Sequence, residues 1–228
     1  QDPYALRCAP QVLGAAMDQL RVQRGVIERE LGAVTDNPLV FADGAGGFDV
    51  VSGGNFHGMP LAIAMDAAKI AVCHVAGISE RRSFWVLGGF DRVNPVKPYL
   101  ARDPGLESGL MIAQYAAAAC VNELQSLAHP ASVGNVGTCG GIEDYNSFGP
   151  LSGWQLDRAV RLLREVVAVE LLVMAQALEA HRPLRSGAGV ERLHAAVRAI
   201  VAPLTGDRSI APDMRAIADA IAAGTLSA

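Results

Sequence analysis

Between residues 156 and 178 the apolar side chains return at steps of three or four: Leu156, Val160, Leu163, Val167, Leu171, Met174 and Leu178. That rhythm is satisfied by one long helix carrying an apolar stripe, and it excludes a strand, whose period is two. Ser152 stands where an N-cap is expected, and Arg158, Arg161, Arg164 and Glu165 fall mostly off the stripe. A second stripe runs through Leu13, Met17, Leu20, Ile27 and Leu31, with Arg24 at the one missing inner position. Two such seams are the pattern of helices packed side by side in a bundle.

The rest of the chain agrees. Thr35-Asp36-Asn37-Pro38 ends the first helix, because proline disfavours helical geometry in the residue before it. Leu39-Val40-Phe41 and Phe48-Asp49-Val50-Val51 flank a glycine-rich turn and predict a small hairpin over residues 39–51. An alanine-rich helix is predicted over 60–87, with proline in its first turn, and another over 106–128. Shorter ones are expected over 190–201 and 212–223. Between them lies a glycine-dotted loop over 131–150, a length of irregular chain that compact proteins usually reserve for function. The fold class is therefore all-α: a bundle of long central helices with one small hairpin.

Composition removes several functions. Of 228 residues 51% are hydrophobic and 18% charged, too apolar for disorder and enough to fill a sizeable core. A net charge of −4 argues against nucleic acid as a partner. Lys69 and Lys97 are the only lysines among 19 cations, which reads as compositional bias and not as a binding patch. The most apolar stretches are interrupted by Asp66 and Lys69, by Gln114 and by Glu170, so no membrane span is expected. Four dispersed cysteines and five dispersed histidines have no metal-site spacing; no metal is expected, and the scattered thiols suit a reducing, cytoplasmic compartment. With neither an initiator Met nor a signal-like segment before Gln1-Asp2-Pro3-Tyr4, the chain reads as the body of a soluble protein that starts further upstream.

Three polar loops are candidates for chemistry. In Gln1-Asp2-Pro3-Tyr4-Ala5-Leu6-Arg7, one helical turn brings a phenol beside a guanidinium, which is able to hold a carboxylate through two parallel hydrogen bonds. An ordinary surface pair has the same spacing. In Ser52-Gly53-Gly54-Asn55-Phe56-His57-Gly58, the glycines let the backbone approach a ligand closely, or make a tight turn with Phe56 plugging the core. In the third, Glu143-Asp144 within 141–149 offers adjacent carboxylates for acid–base work, for capping a helix, or simply for facing water.

Taken together, QDPYALRCAPQVLGA, TDNPLVF, SGGNFHG, SERR, DPGLESGLMIAQ, LAHPASV, EDYNSFG and VVAVELLVMAQAL resemble the aromatic amino acid ammonia-lyase family, its histidine-specific members most of all. Each motif is modest alone; eight in order across nearly the whole chain are specific. The resemblance implies non-oxidative removal of ammonia from histidine to give urocanate, within a homotetramer whose active sites combine loops of several subunits. It implies an electrophilic methylidene-imidazolone, an internal prosthetic group that members build from an Ala-Ser-Gly tripeptide. No such tripeptide occurs in residues 1–228. The chain is accordingly expected to be the C-terminal portion of such an enzyme, partnered by the missing N-terminal half and inactive without it.

By the same resemblance Arg7 clamps the substrate carboxylate, and Tyr4 lies near the electrophile and the amine. Asn37 lines the prosthetic group, Phe56 walls the pocket, and Glu143 touches the substrate ring or moves a proton. Met111 matches a pocket position that is methionine in histidine lyases and lysine in plant-type phenylalanine lyases. Tyr145-Asn146-Ser147-Phe148 departs from the EDHVSM of histidine lyases toward the phenylalanine pattern. That departure keeps phenylalanine or tyrosine deamination and an aminomutase reaction open, beside a non-catalytic helical scaffold.

Overall fold

The computed structural model describes residues 1–226. One turn of helix, α1 (Tyr4–Arg7), leads into α2 (Ala9–Glu30). Strands β1 (Leu39–Ala42) and β2 (Phe48–Val51) follow, then α3 (Met59–Leu87), α4 (Met111–Leu127), α5 (Gly149–Ala180), α6 (Ala188–Ile200) and α7 (Ala211–Ala222). The all-α expectation holds, hairpin included. The chain divides into two compact units. One comprises Gln1–Gly14, Val72–Ser126 and the described part of Ala159–Ala228; the other comprises Ala15–Ala71 and Leu127–Arg158.

The first unit is a helical core. Val72 and Ala76 of α3, Ala113, Ala117 and Leu124 of α4, and Val197 and Ile217 of α6 and α7 are buried with the inner face of α5. That face corrects the expected stripe. Ala159, Leu162, Val166, Val169 and Val173 are among the residues α5 buries, while Leu163, Val167 and Met174 are half-buried. The helix is apolar over a wide arc, and the rhythm was read along its flank. Ser152 is corrected too: α5 starts at Gly149, with Leu151 and Ser152 N–H donating to the Phe148 carbonyl, so Ser152 lies inside the helix and is fully buried.

In the second unit the hairpin has the expected register, Leu39 opposite Val51 and Ala42 opposite Phe48. Its turn is closed by Asp43, whose Oδ1 accepts from the N–H groups of Ala45 (2.8 Å) and Gly47 (2.9 Å). Val40, Phe41, Phe48 and Val50 remain exposed. The stripe of α2 is likewise uncovered by this chain: Met17, Leu20 and Leu31 are exposed and Ala16 alone is buried.

Helix α3 is long and apolar enough to cross a membrane by length and composition. Its charges nevertheless find partners inside the chain, as in the core helix of a bundle. Lys69, with no exposed surface, pairs with Asp66 at 2.7 Å and also donates to Gln155 and to the His129 carbonyl. Asp66 Oδ2 accepts the Ser132 N–H at 2.8 Å. Burial pushes the Asp66 carboxyl up, but Lys69, the Ser132 hydroxyl and N–H, and the Ser152 hydroxyl outweigh it and hold it at about 2.

A carboxyl depressed on folding stabilises the native state above its unfolded value, and that contribution fades as pH falls toward the folded one. Stability measured by urea unfolding should therefore decline between about pH 4 and pH 2, and Asp66→Asn should flatten that decline. Lys69→Ala, which strands a buried carboxylate, should cost about 3–5 kcal/mol at neutral pH.

Candidate functional site

The first loop forms because Pro3 precedes a turn whose amides it can serve: its carbonyl accepts from Leu6 N–H (3.0 Å) and Arg7 N–H (3.1 Å). That turn brings the predicted pair together. The Arg7 guanidinium lies over the Tyr4 ring, 4.5 Å from its centre, and Arg7 Nε donates to the Asp2 carbonyl at 2.9 Å. Both side chains are exposed, Tyr4 at 69%. Tyr4 also lines a cavity of about 470 Å³, with Cys8 between α1 and α2, Val12 of α2, Cys73, His74, Ile78 and Arg81 of α3, and Val121 and Gln125 of α4. That volume lies in the range of small-molecule sites. In the same unit Met111 opens α4 and is half-buried; it is not among the lining residues.

The second unit joins the other candidates. Asn37 Oδ1 accepts from Ser52 Oγ (3.2 Å) and Gly53 N–H (3.1 Å), so the Asp-Asn-Pro turn is docked on the second glycine loop. Phe56 is 56% exposed, which removes the reading that it plugs the core. A side chain at Gly53 or Gly54 would meet nothing within 4 Å, whereas one at Gly58 would stand 3.1 Å from Ser147 Oγ. The close approach in this loop is thus at Gly58, against the third loop.

Residues 131–148 are held by their own polar groups. Glu143 accepts the Thr138 hydroxyl at 2.6 Å on Oε2 while its carbonyl accepts the Thr138 N–H at 2.8 Å. Glu143 therefore closes its own turn and caps no helix; it remains exposed. Asn135 and Asn146 bond reciprocally, Nδ2 to the Asn146 carbonyl (3.1 Å) and Asn146 N–H to Oδ1 (3.2 Å), and Asn146 Nδ2 reaches the Val136 carbonyl at 2.7 Å.

Sequence reasoning left out the clasp between the two loops. His57 Nδ1 accepts the Met59 N–H (3.3 Å), which assigns the ring proton to Nε2, and Nε2 donates to the Tyr145 carbonyl at 2.9 Å. The two rings stack with centres 6.4 Å apart. Also unread were the ion pairs of α3. Glu170 accepts from Ser79 (2.5 Å) and in a fork from Arg82, and buried Glu80 binds Arg81 and Gln114. The one signal was the run Ser79-Glu80-Arg81-Arg82 inside an otherwise apolar helix. Among the described residues no group of three or more His, Cys, Asp or Glu is placed to hold a metal ion.

With this geometry in hand, comparison with known proteins gives a consistent answer. The family model described as aromatic amino acid lyase matches residues 1–199. The histidine ammonia-lyase of Sorangium cellulosum is 45% identical over the whole chain, and that of an Anaeromyxobacter species 44% over 99% of it. The matches take in 45% and 44% of those proteins, so the chain spans less than half the length of the curated relatives it matches. Among solved structures, histidine ammonia-lyase from Trypanosoma cruzi superposes with a TM-score of 0.93 at 37% identity, over 99% of this chain and 44% of that one. Tyrosine aminomutase from Streptomyces globisporus does so with a TM-score of 0.92 at 35% identity, over 99% and 42%.

The clasp is testable without any activity. His57→Ala should speed amide exchange across residues 143–147 by about tenfold, the effect of one lost hydrogen bond and its neighbours. His57→Gln, which retains a donor, should speed it less. Exchange is read by mass spectrometry on the peptides of this loop.

Proposed function

This chain belongs to the aromatic amino acid lyase family, and from that premise we propose that it is the C-terminal portion of a histidine ammonia-lyase, eliminating ammonia from L-histidine to give urocanate. The observation that carries the reading is the Tyr4–Arg7 pair: a guanidinium parked on a phenol, which itself lines a cavity of amino-acid size. The identity of the curated relatives, histidine ammonia-lyases at 41–45%, supports the same substrate.

The roles follow from what each group is able to do. Arg7 presents two parallel donors to the substrate carboxylate. Tyr4 offers a phenol to the amine or to a proton in transit. Asn37 has its amide oxygen committed to Ser52 and Gly53, which leaves Nδ2 as a donor. An exposed phenol and an exposed amide donor fit the carbonyl-bearing methylidene-imidazolone of this family, which when bound supplies an electron sink for loss of the amine. Its Ala-Ser-Gly precursor we assign to the part of the protein outside this chain. Phe56 and Met111 supply apolar walls that add no charge.

Glu143 selects the ring. With Oε2 taken by Thr138, Oε1 remains to accept an imidazole N–H. A phenyl ring offers no such donor, and enclosing an unpaired carboxylate against it costs several kcal/mol. The uncovered faces of α2 and the hairpin favour assembly with the remaining half and with further copies, as in a homotetramer. Four dispersed cysteines, none in a disulfide, suit a reducing, cytoplasmic setting.

The chain by itself should deaminate no amino acid, and co-expression with the remaining half should restore turnover and the near-ultraviolet absorbance of the prosthetic group. In the complete enzyme Glu143→Gln should lower kcat/KM for histidine by roughly 10- to 100-fold, the loss of one charge-assisted bond. For phenylalanine the loss should be under about threefold, since that ring never made the bond. A wild type that prefers phenylalanine or tyrosine, or that yields a β-amino acid, refutes the histidine lyase assignment. In sedimentation the complete protein should run as an oligomer; a well-folded monomer at high concentration contradicts the assembly.

A further inference from the structure

Strained backbone gathers immediately before α4. Tyr99 and Leu100 have φ of 56° and 53°, in the left-handed region that non-glycine residues seldom occupy unless their surroundings hold them there. Gly109 has φ of 56°, and a Cβ on it would lie 2.5 Å from the Tyr99 carbonyl oxygen and 2.9 Å from Ala101 N. No side chain fits there. Leu110, 1% exposed, donates its N–H back to the Tyr99 carbonyl at 2.8 Å.

Two carboxylates hold this junction. Glu107 Oε2 accepts the N–H groups of Arg102 (3.1 Å) and Asp103 (3.3 Å). Asp207, 98 residues further on, accepts the Gly109 N–H on Oδ1 and the Ser108 N–H on Oδ2, each at 2.8 Å. The first turn of α4 has no acid of its own; Asp207 delivers the missing negative charge to the approach of that helix. Asp207 is itself anchored. Leu204, three residues before it, exchanges two bonds with Gln176 of α5, at 2.9 and 3.0 Å. All of these residues lie in one compact unit.

The apolar pattern predicts a helix from residue 106, yet α4 begins at Met111. The difference is the segment Asp207 grips. We propose that Asp207 is a positioning residue: by clamping residues 108 and 109 in a non-helical path it fixes where α4 begins, and so sets the place of Met111 and the discrimination between imidazole and phenyl substrates. This rests on the reading of Met111 as a pocket residue of a histidine lyase. Asp207 itself lies beyond residue 199, where the match to the family model ends.

The test uses the complete enzyme, this chain with its remaining half. Asp207→Ala should raise KM for histidine by about tenfold with kcat changed less than about twofold, and should lower the histidine-to-phenylalanine ratio of kcat/KM. Asp207→Asn, which keeps one acceptor, should fall between. The Asp207→Ala/Met111→Ala double variant should have the same ratio as Met111→Ala alone, because both changes act through one side chain. Arg215→Ala, on the exposed side of α7, should leave all parameters at wild type. Amide exchange over residues 106–112 should accelerate about tenfold in Asp207→Ala. Wild-type kinetics in Asp207→Ala, additive effects with Met111→Ala, or unchanged exchange overturns the proposal. An enzyme that never deaminates histidine refutes the functional reading instead, and unchanged exchange would then refute the clamp as well.

Discussion

A lysine with no exposed surface, in the middle of an alanine-rich helix, is the interaction on which the second unit depends. Lys69 is tolerable in that place only because Asp66, Gln155 and the His129 carbonyl all meet it. An ammonium withdrawn from water without such partners would cost more than the helix returns by packing. The same Asp66 takes the Ser132 N–H. One ion pair in α3 therefore fastens α5 and also the two ends of the turn at residues 129–132, from which the long loop departs. In the first unit Glu170 of α5 performs the equivalent task, gripped by Ser79 and Arg82 of α3. Buried charges of this kind specify register: a slip of one residue strands every one of them.

Hung from that anchor, the loop over 131–148 needs no α-helix or strand to be well defined. Its bonds run from Thr138 to Glu143 and from Asn135 to Asn146, and His57 closes it from the neighbouring glycine loop. The hydrogen bond of the clasp is made to the carbonyl of residue 145, and not to its side chain. That is why tyrosine at this position leaves the loop closed: the backbone oxygen is the same whatever the residue. The hold on Glu143 comes from Thr138, seven residues before Tyr145, where the sequence departs from the histidine pattern toward the phenylalanine one. A change of residue at 145 and retention of Glu143 are thus physically independent.

What was legible in the sequence was whatever a period or a local turn encodes. The helices announce themselves by apolar rhythm, the hairpin by Asp43 and its glycines, and the Tyr4–Arg7 pair by a three-residue spacing that one helical turn converts into contact. The offset on α5 has the same root, because an arc of apolar residues wider than one stripe fits two neighbouring rhythms, and only the packing chooses Ala159, Leu162 and Val166. Illegible were partners far apart in sequence. Nothing near Lys69 names Gln155, nothing near Ser79 names Glu170, and nothing near Gly109 names Asp207. The start of α4 was misplaced for that reason: apolar rhythm continues through Leu106, and the groups that stop the helix belong to another part of the chain.

The resting place of Arg7 also bears on the proposed chemistry. A guanidinium over an exposed phenol gains about 0.5–1 kcal/mol, and its bond to the Asp2 carbonyl is solvent-facing and replaceable by water. Neither contact competes with a carboxylate, which offers two charged acceptors in the geometry of the guanidinium fork. These two contacts hold Arg7 beside Tyr4 without committing it. In the proposed reaction the substrate carboxylate draws the guanidinium off the ring, which frees that face of the already exposed phenol. A lysine at this position would be a point charge with no fork and a weaker hold on the ring. On that proposal the Tyr-x-x-Arg spacing couples carboxylate capture to release of the ring face, as an elimination that needs both groups at one substrate requires.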